Sequence, residues 1–270
     1  AASDVYKRQE EKVQKLDKSQ KAMLYMIEDL NQTAANLKVE RQKLAQSNQE
    51  LEAFSYSVSH DLRAPLRHIN GYIDLLTRRF TDSLPEKGQH YLDSIVESTT
   101  EMGELIDSLL QFSRTSRQEM HLTQVDMNDL VQEALVNLKP DYADREIKWQ
   151  IETLPEVIGD RHLLKLVWLN LLSNAIKFTQ KTPQTKIEVG AVEEQAEQVF
   201  FVRDNGVGFD MKYVHKLFGV FQRLHPNAAY EGVGIGLANL RRIIQRHEGR
   251  TWAEGEPGVG ATFYFALPKR

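Results

Sequence analysis

The sequence contains no cysteine among its 270 residues, which excludes disulfide bonds and thiolate metal sites. This absence fits a reducing compartment, and we expect a cytoplasmic protein. No apolar run approaches the roughly 20 residues that a membrane-spanning helix needs, and no signal peptide is recognisable. The net charge of −4 provides no basic footprint for nucleic acid. These absences predict a soluble protein that does not bind nucleic acid.

The first nine residues, AASDVYKRQ, do not fit the pattern that follows, and we interpret them as an adaptor segment outside the fold. Residues 10–58 contain no Gly or Pro and repeat every seven residues, which predicts a long parallel coiled-coil dimer. A second row of the repeat is half polar. A static rod and a signalling helix that shifts both fit this pattern. The apolar row consists of Leu16, Met23, Leu30, Leu37, Leu44, Leu51 and Val58.

The segment around His60 continues the helical pattern, because apolar residues recur at spacings of three and four to about Phe80. His60 is followed at once by Asp61, and Pro65 predicts a kink shortly after them. An imidazole is largely neutral at pH 7, and a neighbouring carboxylate fixes its tautomer. His60 is therefore the candidate nucleophile of the chain.

A helical hairpin is predicted from the residues that follow. Residues 81–88 form a turn-rich break, and an apolar face from Tyr91 to Phe112 predicts a second helix. The polar residues 113–118 are predicted to form a linker. Two antiparallel helices per chain, doubled by the coiled coil, predict a four-helix dimerisation bundle over residues 48–116 with His60 facing outward.

Residues 120–270 mix helical and strand patterns, which predicts an α+β sandwich. Asp126 is placed to cap a helix that ends at Leu138, and residues 146–152 alternate like a strand. The other predicted elements are a helix over 160–178, strands over 185–192 and 198–203, a short helix near 210, a long loop, a helix over 234–247 and two closing strands.

Candidate ligand-binding residues fall on the predicted helix over 160–178. Asn170, Asn174 and Lys177 are spaced by four and three residues and share one stripe. An Asn carbonyl oxygen suits Mg²⁺ where phosphates supply the charge, and Lys suits phosphate. A solvated helix face is the more common explanation of such a stripe. We interpret these other candidates as exposed or structural: Arg241 and Arg242, and seven of the eight histidines, including His68 and His121.

Three glycine-rich segments complete the candidate site. The first follows an apolar strand and allows close backbone approach to a ligand, although a plain turn explains it equally. The second leads into a helix, whose N-terminal N–H groups suit phosphate. The third enters a strand. They are Asp204 with Gly206 and Gly208, then Gly232 with Gly234 and Gly236, then residues 258–262.

In this order and spacing, the segments resemble the sensor histidine kinases of bacterial two-component systems. The stretch at His60 is similar to the conserved H box of this family, and residues 170–178 are similar to its N box. The remaining boxes match 204–208, the Phe-rich 217–223, 232–236 and 258–262. The resemblance covers about residues 45–268, and HDLRAPLRHI is similar to the phytochrome-like branch. It identifies residues 120–270 with an ATP-binding domain of the Bergerat, or GHKL, type.

The resemblance implies a role for each residue. His60 accepts the γ-phosphoryl group of ATP, Asp61 orients its ring and helps take its proton, and Asn174 binds Mg²⁺. Residues 219–231 form a lid over ATP. The implied partners are a second copy of the chain, the receiver domain of a response regulator and an upstream sensor domain. The implied ATP-binding residues are Asn170, Asn174, Lys177, Phe178, Asp204, Gly206, Gly208, Arg223, Gly232, Gly234, Gly236, Leu237 and Thr262.

Two functions of other classes are weighed against this one. A gyrase-type ATPase places a Glu four residues before its Mg²⁺-binding Asn; here Asn170 occupies that position and cannot act as a base. A coiled-coil scaffold that binds ATP without transferring phosphate is disfavoured by His60 and the intact glycine boxes. Many relatives hold water with Thr or Asn four residues after the histidine. Ala64 stands there, so we predict weak phosphatase activity toward the phosphorylated partner.

Overall fold

A computed structural model of the protein describes residues 2–80, 84–117, 119–222, 224 and 234–269. The chain divides into two compact units, residues 1–54 and residues 55–270. Helix α1 (Ala2–Phe80) begins in the first unit and ends in the second. Residues 2–9 are helical, although we expected them to stand outside the fold. In the part of the chain that the structure describes, no helix is long and apolar enough to cross a membrane.

The first unit consists of the N-terminal part of α1. Three residues of the predicted apolar row, Met23, Leu30 and Leu37, are 63%, 67% and 70% exposed in the single chain. A continuous apolar row of this kind is the surface that a coiled-coil dimer buries. This exposed row is compatible with the predicted coiled-coil dimer, which stays a prediction.

The second unit begins with a helical hairpin of α1 and α2 (Glu86–Arg117). Leu66 of α1 forms a buried cluster with Ile106 and Leu110 of α2. Arg63 forms an ion pair with Asp107 across the hairpin. Helix α1 continues past Pro65 and ends at the predicted residue. The hairpin thus places His60 on a helix that is packed against its neighbour.

The end of α2 corrects one prediction. Residues 113–117, predicted as part of a linker, belong to the helix. Ser113 and Thr115 are buried, and the Thr115 hydroxyl donates to the carbonyl of Gln111 at 2.8 Å. A hydroxyl that bonds to the preceding turn satisfies its polarity inside a helix, so the polar composition was a misleading signal.

The remaining residues form one domain of helices and two sheets. Its strands are β1 (Leu122–Asp126), β2 (Ile147–Ile151), β3 (Glu156–Asp160), β4 (Thr185–Glu193), β5 (Glu197–Asp204), β6 (Arg250–Glu256) and β7 (Gly260–Pro268). Its helices are α3 (Met127–Leu138), α4 (Arg161–Phe178), α5 (Val214–Leu217) and α6 (Gly236–Arg246), with 3-10 turns at Lys139–Tyr142 and Met211–Tyr213.

The larger sheet has the strand order β2-β4-β5-β7-β6, in which β2 and β4 are parallel and the other neighbours antiparallel. Helices α3, α4 and α6 contribute to a single core with one face of this sheet. Trp168 of α4 is fully buried and makes edge contacts with Phe200 and Phe265. The predicted α+β sandwich is confirmed.

Two aspartates cap the helices α3 and α4 of this domain, as the sequence predicted for Asp126. The Asp126 carboxylate accepts from the backbone N–H of Asn128 at 2.8 Å and caps α3. Asp160 caps α4 through the N–H of Leu163 at 3.0 Å. Strands β1 and β3, which precede these caps, pair with each other in a small antiparallel sheet that was not predicted.

Candidate functional site

His60 lies exposed on α1 beside Asp61. The side chain of His60 is 70% exposed, and its Nδ1 lies 3.3 Å from Asp61 Oδ1. In the tautomer that carries its proton on Nδ1, this contact is a hydrogen bond to the carboxylate. The other ring nitrogen, Nε2, then keeps its lone pair. The geometry therefore presents Nε2 as a nucleophile in an exposed position.

The polar stripe of α4 is half-buried and faces the start of α6. Asn170 donates from Nδ2 to the carbonyl of Leu166 at 2.8 Å. A Cβ added to Gly236 would lie 2.5 Å from Asn170 Oδ1. The structure thus brings the second glycine-rich segment against the stripe that also carries Asn174 and Lys177.

The end of α4 meets the segment that starts at Asp204. The ammonium of Lys177 lies 4.4 Å from the centre of the Phe178 ring. The carbonyl of Phe178 accepts from the backbone N–H of Val207 at 3.2 Å. The end of the segment 170–178 and the segment 204–208, which are far apart in sequence, are therefore in direct contact.

Asp204 is a buried carboxylic acid at the end of β5. Burial raises its pKa to about 6, although hydrogen bonds from the N–H groups of Gly206 and Ala261 act in the opposite direction. Its Oδ1 accepts from the Gly206 N–H at 2.8 Å. This residue therefore changes charge close to neutral pH, unlike an exposed aspartate.

The glycines around Asp204 have a reason that the sequence did not indicate. A Cβ on Gly206 would lie 2.5 Å from the carbonyl oxygen of Phe178, and a Cβ on Gly208 would lie 1.9 Å from that of Glu256. Gly208 also has a φ of +60°. We expected these glycines to make room for a ligand. The structure shows that they let three backbone segments pack together.

Thr262 is not brought to the site with the other predicted residues. Its Oγ1 accepts from Arg203 Nε at 3.3 Å. Neighbouring Phe263 and Phe265 belong to the core between sheet and helices, and successive side chains of a strand point to opposite faces. Thr262 thus lies on the face away from α4 and α6, and its assignment as an ATP-binding residue stays a prediction.

Two predicted residues, Arg223 and Gly232, fall outside the described residues, as does most of the predicted lid at 219–231. Gly234 has a φ of +75°, which favours glycine, and Gly236 is the first residue of α6. Leu237 packs partly buried against the core. The described part of this segment therefore agrees with a loop that leads into a helix.

The residues of the site suit a phosphate-bound Mg²⁺ better than a metal held by protein alone. The described residues contain no group of three or more His, Cys, Asp or Glu side chains that could hold a metal ion. Mg²⁺ commonly binds through few protein oxygens together with substrate phosphates and water. The amide oxygen of Asn174, with Asn170 one turn earlier, fits that kind of ligand set.

Two arginines in this domain were misjudged or missed. Arg242 was interpreted as part of a solvated helix face, but its guanidinium lies 4.6 Å from the centre of the Phe112 ring on α2. Arg241 beside it is exposed, as expected. Arg145, which the sequence did not single out, donates to carbonyls at the end of α4. No local pattern around Arg145 indicates this role, because its partners lie more than 30 residues away.

Two protein families match the chain. Residues 50–118 match the His Kinase A (phospho-acceptor) domain. Residues 159–270 match the family described as histidine kinase-, DNA gyrase B-, and HSP90-like ATPase. The first match contains His60, and the second contains the stripe of α4 and all three glycine-rich segments.

Curated relatives show the same similarity over most of the chain. Phytochrome-like protein Cph1 of Synechocystis is 36% identical over 247 residues, which are 91% of this chain and 32% of the relative. Cyanobacterial phytochrome A of Nostoc is 38% identical, over 83% of this chain and 29% of the relative. The adaptive-response sensory kinase SasA of Thermosynechococcus vestitus is 31% identical, over 86% and 63%. The chain spans about a third of the length of the two phytochromes.

Solved structures agree on the fold. Full-length ShkA in complex with AMPPNP has a TM-score of 0.60 and 27% identity, over 79% of this chain and 45% of that one. Histidine kinase ThkA in complex with the response regulator protein TrrA has a TM-score of 0.55 and 22% identity, over 79% and 61%. A helical region followed by an α/β ATPase domain is thus common to all three.

Proposed function

Since the chain belongs to the sensor histidine kinases, we propose that it transfers the γ-phosphoryl group of ATP to His60 and then to an aspartate of a response regulator. The observation that carries the proposal is the exposed imidazole of His60, whose Nδ1 is held by Asp61. The chain contains an ATP-binding domain of the matching family directly after the helical hairpin. Together they supply a nucleophile and a phosphoryl donor.

The bond changes of the proposed step involve only His60, Asp61 and the bound nucleotide. Nε2 of His60 forms a bond to the γ-phosphorus while the bond from that phosphorus to the bridging oxygen breaks, and ADP leaves. The ring gains positive charge, and Asp61 stabilises it by accepting the Nδ1 proton in a hydrogen bond. Phosphoryl transfer depends mainly on positioning and electrostatics, which explains why no further base is required.

The nucleotide is proposed to lie along the surface formed by α4, the segment after β5 and the start of α6. Ionised Asp204 accepts a hydrogen bond from the adenine amino group, and Phe178 packs near the base. Lys177 and the N–H groups at the start of α6 contact the phosphates. Mg²⁺ would be held by Asn174 and would offset phosphate charge. Arg223 and Gly232 stay predicted phosphate contacts.

The remaining parts of the proposal concern assembly and location. We propose a homodimer in which the coiled coil over residues 10–58 and the bundle over residues 48–116 pair between two copies. Residues 120–270 form the catalytic domain. The exposed apolar row of α1 supports the dimer. The lack of cysteine supports a cytoplasmic location.

Incubation with γ-labelled ATP and Mg²⁺ tests the proposal. The expected result is an acid-labile, base-stable label on the wild-type chain that His60→Ala abolishes. His68→Ala is the matched control, because His68 is an exposed histidine on the same helix, and this variant should label normally. Binding of ATP without label in the wild type would favour a scaffold. Steady phosphate release that survives His60→Ala would favour a gyrase-type ATPase.

A further inference from the structure

Each of the last four carbonyls of α4 accepts a hydrogen bond at the C-terminal end of the helix. The last four carbonyls of a helix have no partner within the helix. Here the Thr179 hydroxyl donates to the Ala175 carbonyl at 2.7 Å. The backbone N–H of Thr179 donates to the carbonyl of Lys177. Arg145 donates from Nη1 to the Ile176 carbonyl at 2.9 Å. The fourth carbonyl, that of Phe178, accepts from Val207 as described above.

Arg145 is the one charged side chain in this set. It follows the 3-10 turn after α3 and is half-buried. Its Nη2 donates to the Thr179 carbonyl at 2.8 Å and approaches the Thr179 and Thr185 hydroxyls at 3.3 and 3.2 Å. A positive charge at the C-terminus of a helix is also favoured by the helix dipole. The rigid fork of a guanidinium matches several acceptors at once, which an ammonium does not.

The position of this helix end sets the position of the proposed nucleotide site. Phe178 is both the last residue of α4 and the residue whose carbonyl receives the Val207 N–H. Its carbonyl oxygen also lies 2.5 Å from the position that a Cβ on Gly206 would take. A shift of the last turn therefore moves Lys177 and Phe178 and alters their spacing to Asp204.

We propose that Arg145 is a positioning residue for nucleotide binding: its guanidinium holds the last turn of α4 so that Lys177, Phe178 and Asp204 keep the spacing that ATP requires. Arg145 acts through these residues and does not touch the nucleotide. The inference rests on the proposed function, because it assumes that ATP binds along this surface.

The test compares autophosphorylation kinetics of the full chain with those of Arg145→Ala and Arg145→Lys. Arg145→Ala is expected to raise the KM for ATP about tenfold, equivalent to about 1.4 kcal/mol, and to change kcat by less than twofold. Arg145→Lys should show the same raised KM for ATP as Arg145→Ala, because one ammonium cannot make all the hydrogen bonds of the forked guanidinium. Guanidinium chloride at a few millimolar should lower the KM of Arg145→Ala toward the wild-type value.

Arg250→Ala is the matched control, since Arg250 forms ion pairs with Glu197 of β5 and with Glu194 of the turn before it, both outside α4. It should keep the wild-type KM and show no response to guanidinium. If Arg145→Ala does not fold, Thr185→Val, which removes one acceptor of the guanidinium at nearly constant volume, should raise the KM two- to threefold.

The outcomes separate the two proposals. An unchanged KM in Arg145→Ala, or a lower amount of active enzyme with the same KM, contradicts the positioning role and leaves the proposed function intact. A raised KM that guanidinium does not restore also contradicts it. If the wild-type chain binds no ATP by calorimetry, the proposed function fails first.

Discussion

Asn170 and Gly236 meet across α4 and α6, with Asn170 Oδ1 only 2.5 Å from the point that a Cβ on residue 236 would occupy. Asn170 Nδ2 donates to the Leu166 carbonyl, so a rotation of the Asn170 side chain away from residue 236 would break this hydrogen bond. Gly236→Ala is therefore expected to push α6 from α4 and weaken ATP binding about tenfold, measured by calorimetry.

Double substitution tests this explanation. Asn170→Ala removes the atom that the new methyl group meets, so the cost of Gly236→Ala should largely disappear in the Asn170→Ala background. Gly71→Ala is the matched control, because a Cβ there has no neighbour within 4 Å. Additive effects of the two substitutions at 170 and 236 would contradict the contact.

The buried Asp204 predicts a pH-dependent affinity for ATP. Its pKa is raised to about 6, so the carboxylate that accepts from the adenine amino group is lost as pH falls through that value. ATP affinity should be full at pH 7.5 and fall about tenfold for each unit well below pH 6. Calorimetry between pH 5 and 8 measures this profile.

Asp204→Asn is the control for the pH profile. The amide cannot titrate, so this variant should bind ATP weakly with no inflection near pH 6. The contribution of Asp204 to the stability of the fold has the opposite sign: the folded state prefers protonated Asp204, so this residue lowers stability as pH rises from about 4 through 6, and Asp204→Asn lacks this contribution. An inflection that persists in Asp204→Asn would assign the titration to another group.

Ala64 predicts a gain of function by substitution. This exposed residue lies four positions after His60 and has no group that orients water. Ala64→Thr should raise dephosphorylation of the phosphorylated response regulator on the order of tenfold, because a hydroxyl there can position the attacking water. The measurement follows loss of label from the partner. Ala64→Val, with the same shape but no hydroxyl, should leave the rate low.

Contacts of α6 with α2 predict a change in proteolysis. The Arg242 guanidinium lies over Phe112, and Arg246 donates to the Thr115 carbonyl. Replacing both arginines with Ala should free the end of α2 and speed tryptic cleavage between α2 and β1 about tenfold, because local opening becomes easier. Mass spectrometry of timed digests locates the cut.

Arg241→Ala serves as the matched control for that experiment. Arg241 is the exposed neighbour of Arg242, so its loss removes one positive charge from the same helix without removing a contact to α2. Its digest should follow the wild type. Equal acceleration in Arg241→Ala would show that charge, and not the contact with α2, controls the cut.

Local signals explain the elements that the sequence predicted well. Asp126 and the apolar periodicity after it mark the start of α3, and both its capping bond and its end at Leu138 are as expected. Helix α4 likewise begins after an aspartate, Asp160, and ends at Phe178 as predicted. The strands β4, β5, β6 and β7 were predictable because each contains an alternating or continuous apolar run. Such a run depends only on neighbours in sequence.

Features that depend on distant residues were missed. Strands β1 and β3 have five residues each, and neither alternates clearly without knowledge of its partner. Arg145 and Arg242 acquire their roles from α4 and α2, which sequence position does not reveal. The orientation of β7 is different, because Phe263 and Phe265 indicate locally which side of this strand faces the core.

The open position of His60 has a consequence for signalling accuracy. With 70% of its side chain in solvent, the ring offers no shelter to a group that it carries, and it excludes no acceptor by burial. In the proposed transfer, the choice among receivers would therefore depend on side chains near His60 and not on burial of the ring. Exchange of such neighbours, with His60 itself untouched, would then be a route by which the proposed kinase acquires a new downstream target.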